Sequence, residues 1–301
     1  MTATVPTGGH SLFEAARAMG IHFAEEFQAG DKFVKANGLK LHYLDWGNDK
    51  LPPMLLLHGG AQTAHSWDFF GLSMRDSYHV VALDQRGHGD SDWSPDRNYS
   101  LDAYIADIKA VTESIGFNKF TLVGLSLGGR NSFTFAARYP EKVKELVIVD
   151  VGPDVEAQGV RHVLDFTRSV DTFDSFEAMV QHVHSYNVRR PLDQIRGSIL
   201  HNVKSLPDGR WTWKYDRNRG QQSTHRVEQT ARAWELIKNI QCPTLIVRGG
   251  ESDVLAPATV DKMCASIPNS RSVVVPRAGH LVQGDNPVDF EKAVRAFLGR
   301  S

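Results

Sequence analysis

Short runs of consecutive apolar residues recur along most of the chain, and each run ends in a turn rich in glycine or polar residues. Continuous rather than alternating hydrophobicity is typical of strands covered on both faces, as in a parallel sheet with crossover helices. The runs are PMLLLHGG (53–60), HVVALDQRG (79–87), KFTLVG (119–124), KELVIVDVG (144–152), TLIVRGG (244–250) and SVVVPRAGH (272–280).

Two further strands are predicted before these runs, in KFVKANGLKLHYLDWG, around the tight-turn pair Asn37-Gly38. Helical patterns separate the later runs, at Leu101–Ile115 after Ser100 and at Gly129–Arg138. The pattern therefore predicts an α/β fold: an eight-stranded, mostly parallel sheet with helices on both faces.

The alternation stops between Pro153 and Gln241. Helical patterns replace the strands there, and LPDGRWTWKYD (206–216) is typical of an exposed turn. An insertion of about 90 residues is too long for a loop in a compact domain. The predicted helices are Val160–Ser169, Phe176–Val188, Leu192–Ser205 and His225–Ile240.

These patterns predict three regions. Residues 1–30 form an N-terminal helical extension, with an amphipathic helix over Ser11–Phe27. Residues 31–152 and 241–301 form the α/β core. Residues 153–240 form a helical cap.

Charge and composition exclude several classes of partner. The chain has 34 Lys and Arg against 35 Asp and Glu, and no run of like charge. This balance argues against nucleic acid or a membrane as the main partner. The N-terminus has no secretory pattern, and two cysteines, Cys242 and Cys264, suit two buried thiols. We expect a cytoplasmic monomer or homodimer that acts on a small molecule.

Candidate chemistry lies in the turns that follow the strands. Loops at the carboxyl ends of parallel strands meet at one edge of the sheet, where ligands bind. Three of these turns deliver Ser126, Asp253 and His280 to that edge, in this order along the chain.

With these residues the chain resembles the α/β-hydrolase family, whose triad follows that order. The resemblance covers about Lys32 to Leu298. The matching motifs are HGG (58–60), DQRGHGDS (84–91), GLSLGG (124–129), GGESDVLAP (249–257) and AGHLVQGDNP (278–287).

The resemblance implies a role for each site residue. Ser126 would be the nucleophile on a strained strand-to-helix turn, His280 its base and Asp253 the acid that orients the imidazole. The backbone N–H groups of Gly60 and Leu127 would form the oxyanion hole. Neither a metal nor an organic cofactor is implied.

Asp150 competes with Asp253 for the role of triad acid. It ends the sixth strand, and some members of the family carry the acid there. Asp253 is the preferred prediction. His58 and His88 precede glycines in turn motifs and are interpreted as structural hydrogen-bonding groups.

The function implied is hydrolysis of a carboxylic ester or lactone through an acyl-enzyme. Ser126 excludes the related dehalogenases and epoxide hydrolases, which carry Asp there. The alternatives are a C–C bond hydrolase of the meta-cleavage type, a cofactor-free haloperoxidase or perhydrolase, and a catalytically silent ligand-binding member of the fold. The predicted pocket residues are Trp67, Phe70, Trp93, Phe166 and Trp211.

Overall fold

A large sheet of eight strands organises the protein, in a computed structural model that describes residues 11–217 and 226–299. The strands of the chain are β1 (Gly30–Ala36), β2 (Leu39–Asp45), β3 (Pro53–Leu57), β4 (His79–Leu83), β5 (Phe120–Leu125), β6 (Val143–Val149), β7 (Thr172–Phe173), β8 (Val203–Ser205), β9 (Trp211–Trp213), β10 (Thr244–Gly249) and β11 (Ser270–Val275). The large sheet has the order β1-β2-β4-β3-β5-β6-β10-β11. β2 is antiparallel to β1 and β4, and the other pairs are parallel. The predicted fold class is confirmed.

Helices lie on both faces of this sheet, and others belong to the region inserted between β6 and β10. They are α1 (Leu12–Ala18), α2 (Asp68–Met74), α3 (Leu101–Ser114), α4 (Leu127–Arg138), α5 (Ala157–Ser169), α6 (Phe176–Tyr186), α7 (Leu192–Ile199), α8 (Arg226–Ile237), α9 (Pro257–Ser266), α10 (Val282–Asp285) and α11 (Pro287–Leu298). Short 3₁₀ helices span Ala64–Trp67 and Leu200–Asn202.

The central strands are buried on both faces because successive side chains point to opposite sides of a sheet. In β3, Leu55 and Leu57 pack in one apolar cluster with α3, α4, α8 and α9. Met54 and Leu56 pack in a second cluster with α2 and α11. Each fully buried side chain of this kind contributes about 2 kcal/mol to folding. The unbroken apolar runs of the sequence therefore become the middle layer of the fold.

The predicted hairpin is also present. Asn37 and Gly38 both have positive φ, 50° and 78°, as a two-residue hairpin turn requires. Ala36 and Leu39 pair directly on either side of the turn.

The N-terminal helix is shorter than the sequence predicts. Ser11 and Glu14 cap its start reciprocally, and it ends at Ala18 rather than Phe27. Gly20 follows with φ of 75°, a conformation that helices do not contain. Phe23 and Phe27 still pack against the core, but from an irregular segment.

Between β6 and β10 the chain forms α5, α6, α7, α8 and a three-stranded antiparallel sheet of order β7-β9-β8. The prediction of an exposed turn at 206–216 is wrong for its aromatic part. Trp211, Trp213 and Tyr215 are buried, together with Phe176, Met179 and Ile195. Pairing of β9 with β7 and β8 turns alternate aromatic side chains toward α6 and α7. The start of the predicted helix at His225 lies outside the described residues.

Contacts of Asp216 and Lys214 help to fasten this inserted region to the core. Asp216 donates its backbone N–H to the Gly87 carbonyl at 2.8 Å, and its carboxylate accepts from the Tyr99 hydroxyl at 2.6 Å. Lys214 pairs with Asp90 at 2.8 Å. The inserted region is therefore held over the loop that follows β4.

Cys242 and Cys264 are both free thiols, and Cys242 is buried. Within the described ranges, no helix combines the length and apolar character that crossing a membrane requires.

Candidate active site

Ser126 lies on a sharp turn between β5 and α4. Its φ of 51° and ψ of −111° are strained for a residue with a side chain. Glycines on either side make the turn possible. A Cβ on Gly124 would lie 2.3 Å from Ser132 Oγ, and one on Gly128 would lie 2.2 Å from the Leu57 carbonyl oxygen. The turn thus raises the Ser126 hydroxyl above the carboxyl end of the sheet.

A chain of hydrogen bonds connects Ser126, His280 and Asp150. His280 Nε2 lies 2.9 Å from Ser126 Oγ, and His280 Nδ1 lies 2.8 Å from Asp150 Oδ2. The Asp150 carboxylate fixes the tautomer, because only Nδ1–H can donate to it and Nε2 is then free to accept the serine proton. The arrangement can activate a hydroxyl as a nucleophile.

Asp150 is held in position by its surroundings. It directly follows β6, has φ of 49° and is completely buried. Its Oδ1 accepts the Gly249 backbone N–H at 2.9 Å, and its Oδ2 also accepts the Ser252 hydroxyl at 2.5 Å. These donors compensate a carboxylate that would otherwise lose its hydration on burial.

The preferred prediction for the acid, Asp253, is wrong in its geometry. Asp253 does not contact His280; its carboxylate lies 3.2 Å from His162 Nδ1, and both side chains are about half exposed, at 45% and 55%. Gly159 of α5 packs on the backbone of the same loop, since a Cβ there would lie 2.2 Å from the Asp253 carbonyl oxygen. The residue of this loop that reaches Asp150 is Ser252.

The oxyanion-hole candidates lie beside the serine. Gly60 and Leu127 both line the same cavity as Ser126, and neither backbone N–H has an acceptor in the described part of the chain. A Cβ on Gly60 would meet nothing within 4 Å, so the space in front of it is open.

The loop that carries Gly60 is tied to α4. The His58 carbonyl accepts the Gly128 N–H at 3.1 Å and the Gln85 side-chain amide at 2.7 Å. His58 Nε2 accepts the Gln85 backbone N–H, and Asn131 donates to the Gln85 side chain. His58 is therefore a structural hydrogen-bonding group, as its position before a glycine predicts.

A cavity of about 1680 Å³ opens over Ser126 and His280. Of the predicted pocket residues, Phe166 and Trp211 line it, and Trp67, Phe70 and Trp93 do not. Trp67 and Phe70 are buried beneath it and pack with Phe290, because they lie in the helical turns under the sheet edge. Trp93 is 44% exposed and faces away, near Lys204.

Several polar lining residues were not singled out from the sequence. They include Arg130 and Arg190, the stacked pair His65 and His201, and Gln283. The position of Arg130, one helical turn after Ser126, was the available signal, because it follows from helix geometry alone. No local sequence pattern predicts that Arg190 lines the cavity, because it reaches the cavity through a contact between residues that are distant in the sequence.

The pKa values of the stacked histidines, His65 and His201, are shifted in opposite directions. Burial acts to lower the pKa of His65, but the Asp68 carboxylate 2.9 Å away raises it above its ordinary value. Burial and the nearby His65 lower the pKa of His201 to about 4. The two ring centroids are 3.6 Å apart, so a charge on one imidazole disfavours a charge on the other.

Two groups within the described residues could hold a metal ion. His65, Asp68 and His201 bring one ligand atom each within 4.8 Å of one another, as do His42, Asp84 and Asp90. In each group one histidine already bonds one aspartate: His42 Nδ1 lies 2.7 Å from Asp84, and His65 Nδ1 lies 2.9 Å from Asp68. Neither group includes Ser126 or His280.

Comparisons with known proteins identify the family of the fold. The family model for the alpha/beta hydrolase fold matches residues 52–287. The chain is 31% identical to the esterase Rv0045c of Mycobacterium tuberculosis over 85% of each protein. A crystal structure of that esterase has a TM-score of 0.78 and covers 96% of both chains.

Other relatives act on other compounds. The chain is 28% identical to the mouse sn-1-specific diacylglycerol lipase ABHD11, over 93% of this chain and 92% of the lipase. It is 29% identical to the 2-(acetamidomethylene)succinate hydrolase of Mesorhizobium japonicum, over 82% of this chain and 88% of that enzyme. The relatives thus share hydrolysis and differ in the compound hydrolysed.

Proposed function

Because the chain belongs to the α/β-hydrolase fold family, we propose that it is a serine hydrolase that cleaves carboxylic esters or lactones through an acyl-enzyme on Ser126. The observation that carries the proposal is the continuous hydrogen-bonded chain from Ser126 through His280 to Asp150. An esterase among the relatives supports the same reaction class.

In the proposed acylation step, Ser126 Oγ attacks the ester carbonyl carbon while His280 Nε2 accepts the hydroxyl proton. The imidazolium that forms keeps its Nδ1–H bonded to Asp150, whose negative charge stabilises it. The tetrahedral intermediate then collapses. His280 returns the proton to the leaving alkoxide, so an alcohol departs and the acyl group stays on Ser126.

Deacylation repeats these steps with water. His280 takes a proton from water, the hydroxide oxygen attacks the acyl carbon, and the proton returns to Ser126 Oγ as the carboxylic acid leaves. In both steps the negative oxygen of the intermediate is stabilised by the free N–H groups of Gly60 and Leu127. Because the backbone fixes these donors in advance, little reorganisation accompanies the reaction.

The cavity supports a substrate with an apolar portion. Phe69, Phe166, Trp211 and Trp213 contribute aromatic surface around the serine. Apolar walls with a few polar groups are typical of sites that bind small organic molecules.

The test is initial rates on 4-nitrophenyl esters from acetate to decanoate. We expect turnover by the wild-type protein and a fall of about 10⁵- to 10⁶-fold in kcat for Ser126→Ala. A fluorophosphonate probe that labels Ser126 in the wild-type protein, detected by peptide mass spectrometry, checks the nucleophile independently. Equal rates for the wild-type protein and Ser126→Ala on every ester, together with no labelling, would overturn the proposal.

A further inference from the structure

Two arginines line the cavity over Ser126 without a hydrogen-bonded or ion-paired carboxylate among the described residues, although the negative charge of Asp285 acts on Arg190. They are Arg130 of α4 and Arg190 of the segment between α6 and α7. Neither guanidinium makes a hydrogen bond or an ion pair within residues 11–217 and 226–299, which contain every Asp and Glu of the chain. Arg190 Nε in particular is a buried donor without an acceptor there.

Most of the other charged side chains in the cavity wall are paired, and the exposed Asp174 has no ion pair among the described residues. Arg196 lies 2.8 Å from Glu177 and 3.0 Å from Asp193. Asp68 pairs with His65 at 2.9 Å. Arg130 and Arg190 therefore supply unpaired positive charge to the cavity, and the exposed carboxylate of Asp174 supplies negative charge at its wall.

A guanidinium without a protein partner is costly where it is shielded from water, as the Arg190 Nε atom is. Arginine keeps its proton in proteins, so the charge cannot be removed to relieve the cost of lost hydration. Burial lowers the pKa of both Arg130 and Arg190 from the ordinary value. A cation in this state is available to an anion that enters the cavity.

Both arginines lie close to the reacting groups. The Arg130 backbone N–H donates to the Ser126 carbonyl at 2.9 Å, and one helical turn, about 6 Å of rise, separates the two residues. Arg190 packs on Gly284, where a Cβ would lie 3.5 Å from its Nη1, and Gly284 lines the cavity four residues after His280. An anion bound by these guanidinium groups would therefore lie a few bonds from the acyl carbon.

We infer that the substrate carries a carboxylate, separate from the ester, which pairs with the guanidinium of Arg130 while Arg190 supplies a second cationic contact. The inference deepens the proposed function and rests on it. A carboxylate fits better than a phosphate, because no lysine among the described residues lines the cavity and the planar guanidinium fork matches the two carboxylate oxygens.

The test compares two esters of equal chain length. 4-Nitrophenyl hydrogen adipate ends in a carboxylate, and 4-nitrophenyl hexanoate ends in a methyl group. We expect the wild-type kcat/KM to be at least about 10-fold higher for the adipate ester. Arg130→Met should lower the ratio of the two kcat/KM values about 10- to 100-fold, as expected for a lost charged hydrogen bond.

Two further variants complete the comparison. Arg190→Met should lower the same ratio about 3- to 10-fold. The matched control is Arg138→Met, on the same helix as Arg130 but outside the cavity and paired with Asp102. It should leave the ratio unchanged.

A stability measurement separates a ligand-binding arginine from a structural one. Since Arg130 has no protein partner, Arg130→Met should leave Tm unchanged or raise it. A structural arginine would lower Tm on replacement. A fall in selectivity together with an undiminished Tm is the combination that supports the carboxylate subsite.

The outcomes distinguish this inference from the proposed function. A wild-type ratio near one, or a ratio that Arg130→Met leaves unchanged, overturns the inference while ester turnover upholds the function. If neither ester is hydrolysed above the Ser126→Ala rate, the function fails and binding decides the inference. Calorimetric titration of adipate should then show binding to Ser126→Ala that is lost in the Ser126→Ala, Arg130→Met double variant. No binding to either protein would overturn it.

Discussion

The sheet edge and the cavity wall differ in whether their polar side chains are hydrogen-bonded to one another. At the sheet edge, formed by Ser126, Asp150 and His280, each side chain is hydrogen-bonded to the next. In the wall above it, the side chains of Arg130 and Arg190 make no hydrogen bond or ion pair in the described chain. Both regions face one cavity.

The bonded side chains of the sheet edge indicate the type of reaction, and the unpaired side chains of the cavity wall indicate the substrate. Groups that are bonded to one another have defined orientations and protonation states, so their chemistry follows from geometry. A buried polar atom without a partner, such as Arg190 Nε, carries a cost that a ligand can compensate, so it points to the ligand's charge. The same cavity supplies both kinds of information.

After Ser126, the largest effect on activity is expected from replacing Asp150, the carboxylate that bonds His280. Asp150→Asn should lower kcat about 10⁴-fold, because an amide at this position no longer holds His280 in the tautomer that accepts the serine proton. Asp253→Asn is the matched control and should leave kcat within about twofold, since Asp253 contacts only His162 among these groups. Both are measured on the ester that the wild-type protein hydrolyses fastest.

The opposite result would reverse the assignment. A collapse of kcat in Asp253→Asn with normal turnover in Asp150→Asn would mean that the loop after β10 rearranges to bring Asp253 onto His280. Circular dichroism of both variants checks that each one is folded.

The two aspartates also show how far sequence reasoning reaches. β6 and β10 are neighbours in the sheet, so the carboxyl ends of both strands lie beside the β11 loop that carries His280. Strand order therefore limits the acid to two residues. Choosing between them depends on the loop path, which here is decided by Ser252 bonding to Asp150 and by α5 packing on the Asp253 backbone. These contacts are long-range and leave no local pattern.

Replacing Ser252 should affect the same hydrogen-bonded groups at the sheet edge, but less strongly than replacing Asp150. Its hydroxyl donates to Asp150 at 2.5 Å and accepts the backbone N–H groups of Val254 and Leu255 at 3.1 and 3.3 Å. Ser252→Ala should lower kcat about 10-fold with little change in KM, since a donor to a buried carboxylate is lost. Ser252→Thr retains the hydroxyl and serves as the control. A kcat equal to the wild-type value in Ser252→Ala would mean that Asp150 is held by Gly249 and His280 alone.

The fold was easier to predict than the wall of the cavity. Buried parallel strands have an unbroken apolar signature, and Asn37-Gly38 has a local turn preference, so both were predicted. Trp211 and Trp213 were predicted to be exposed because alternating aromatics in a polar segment have no local marker of burial. Their burial depends on pairing with β7 and β8, which are only two and three residues long.

The smallest expected effect concerns the pH dependence of stability and comes from His201 in the cavity wall. His201, stacked on His65, has its pKa lowered to about 4 by burial and by the neighbouring imidazole. An unfolded histidine titrates near pH 6.5, so between these values the unfolded state binds more protons and the free energy of unfolding falls as the pH is lowered. From pH 7 to pH 5 the loss is at most about 2 kcal/mol.

His201→Asn removes this proton-linked loss. Its fall in Tm between pH 7 and pH 5, measured by calorimetry, should be about 2–4 °C smaller than in the wild-type protein. His162→Asn is the control, because His162 is about half exposed and outside the cavity wall. The same fall in His201→Asn as in the wild-type protein would mean that His201 is protonated as readily in the folded state as in the unfolded chain. The wall would then carry its positive charge on both stacked histidines as well as on the arginines, and an anionic ligand would bind more tightly as the pH is lowered.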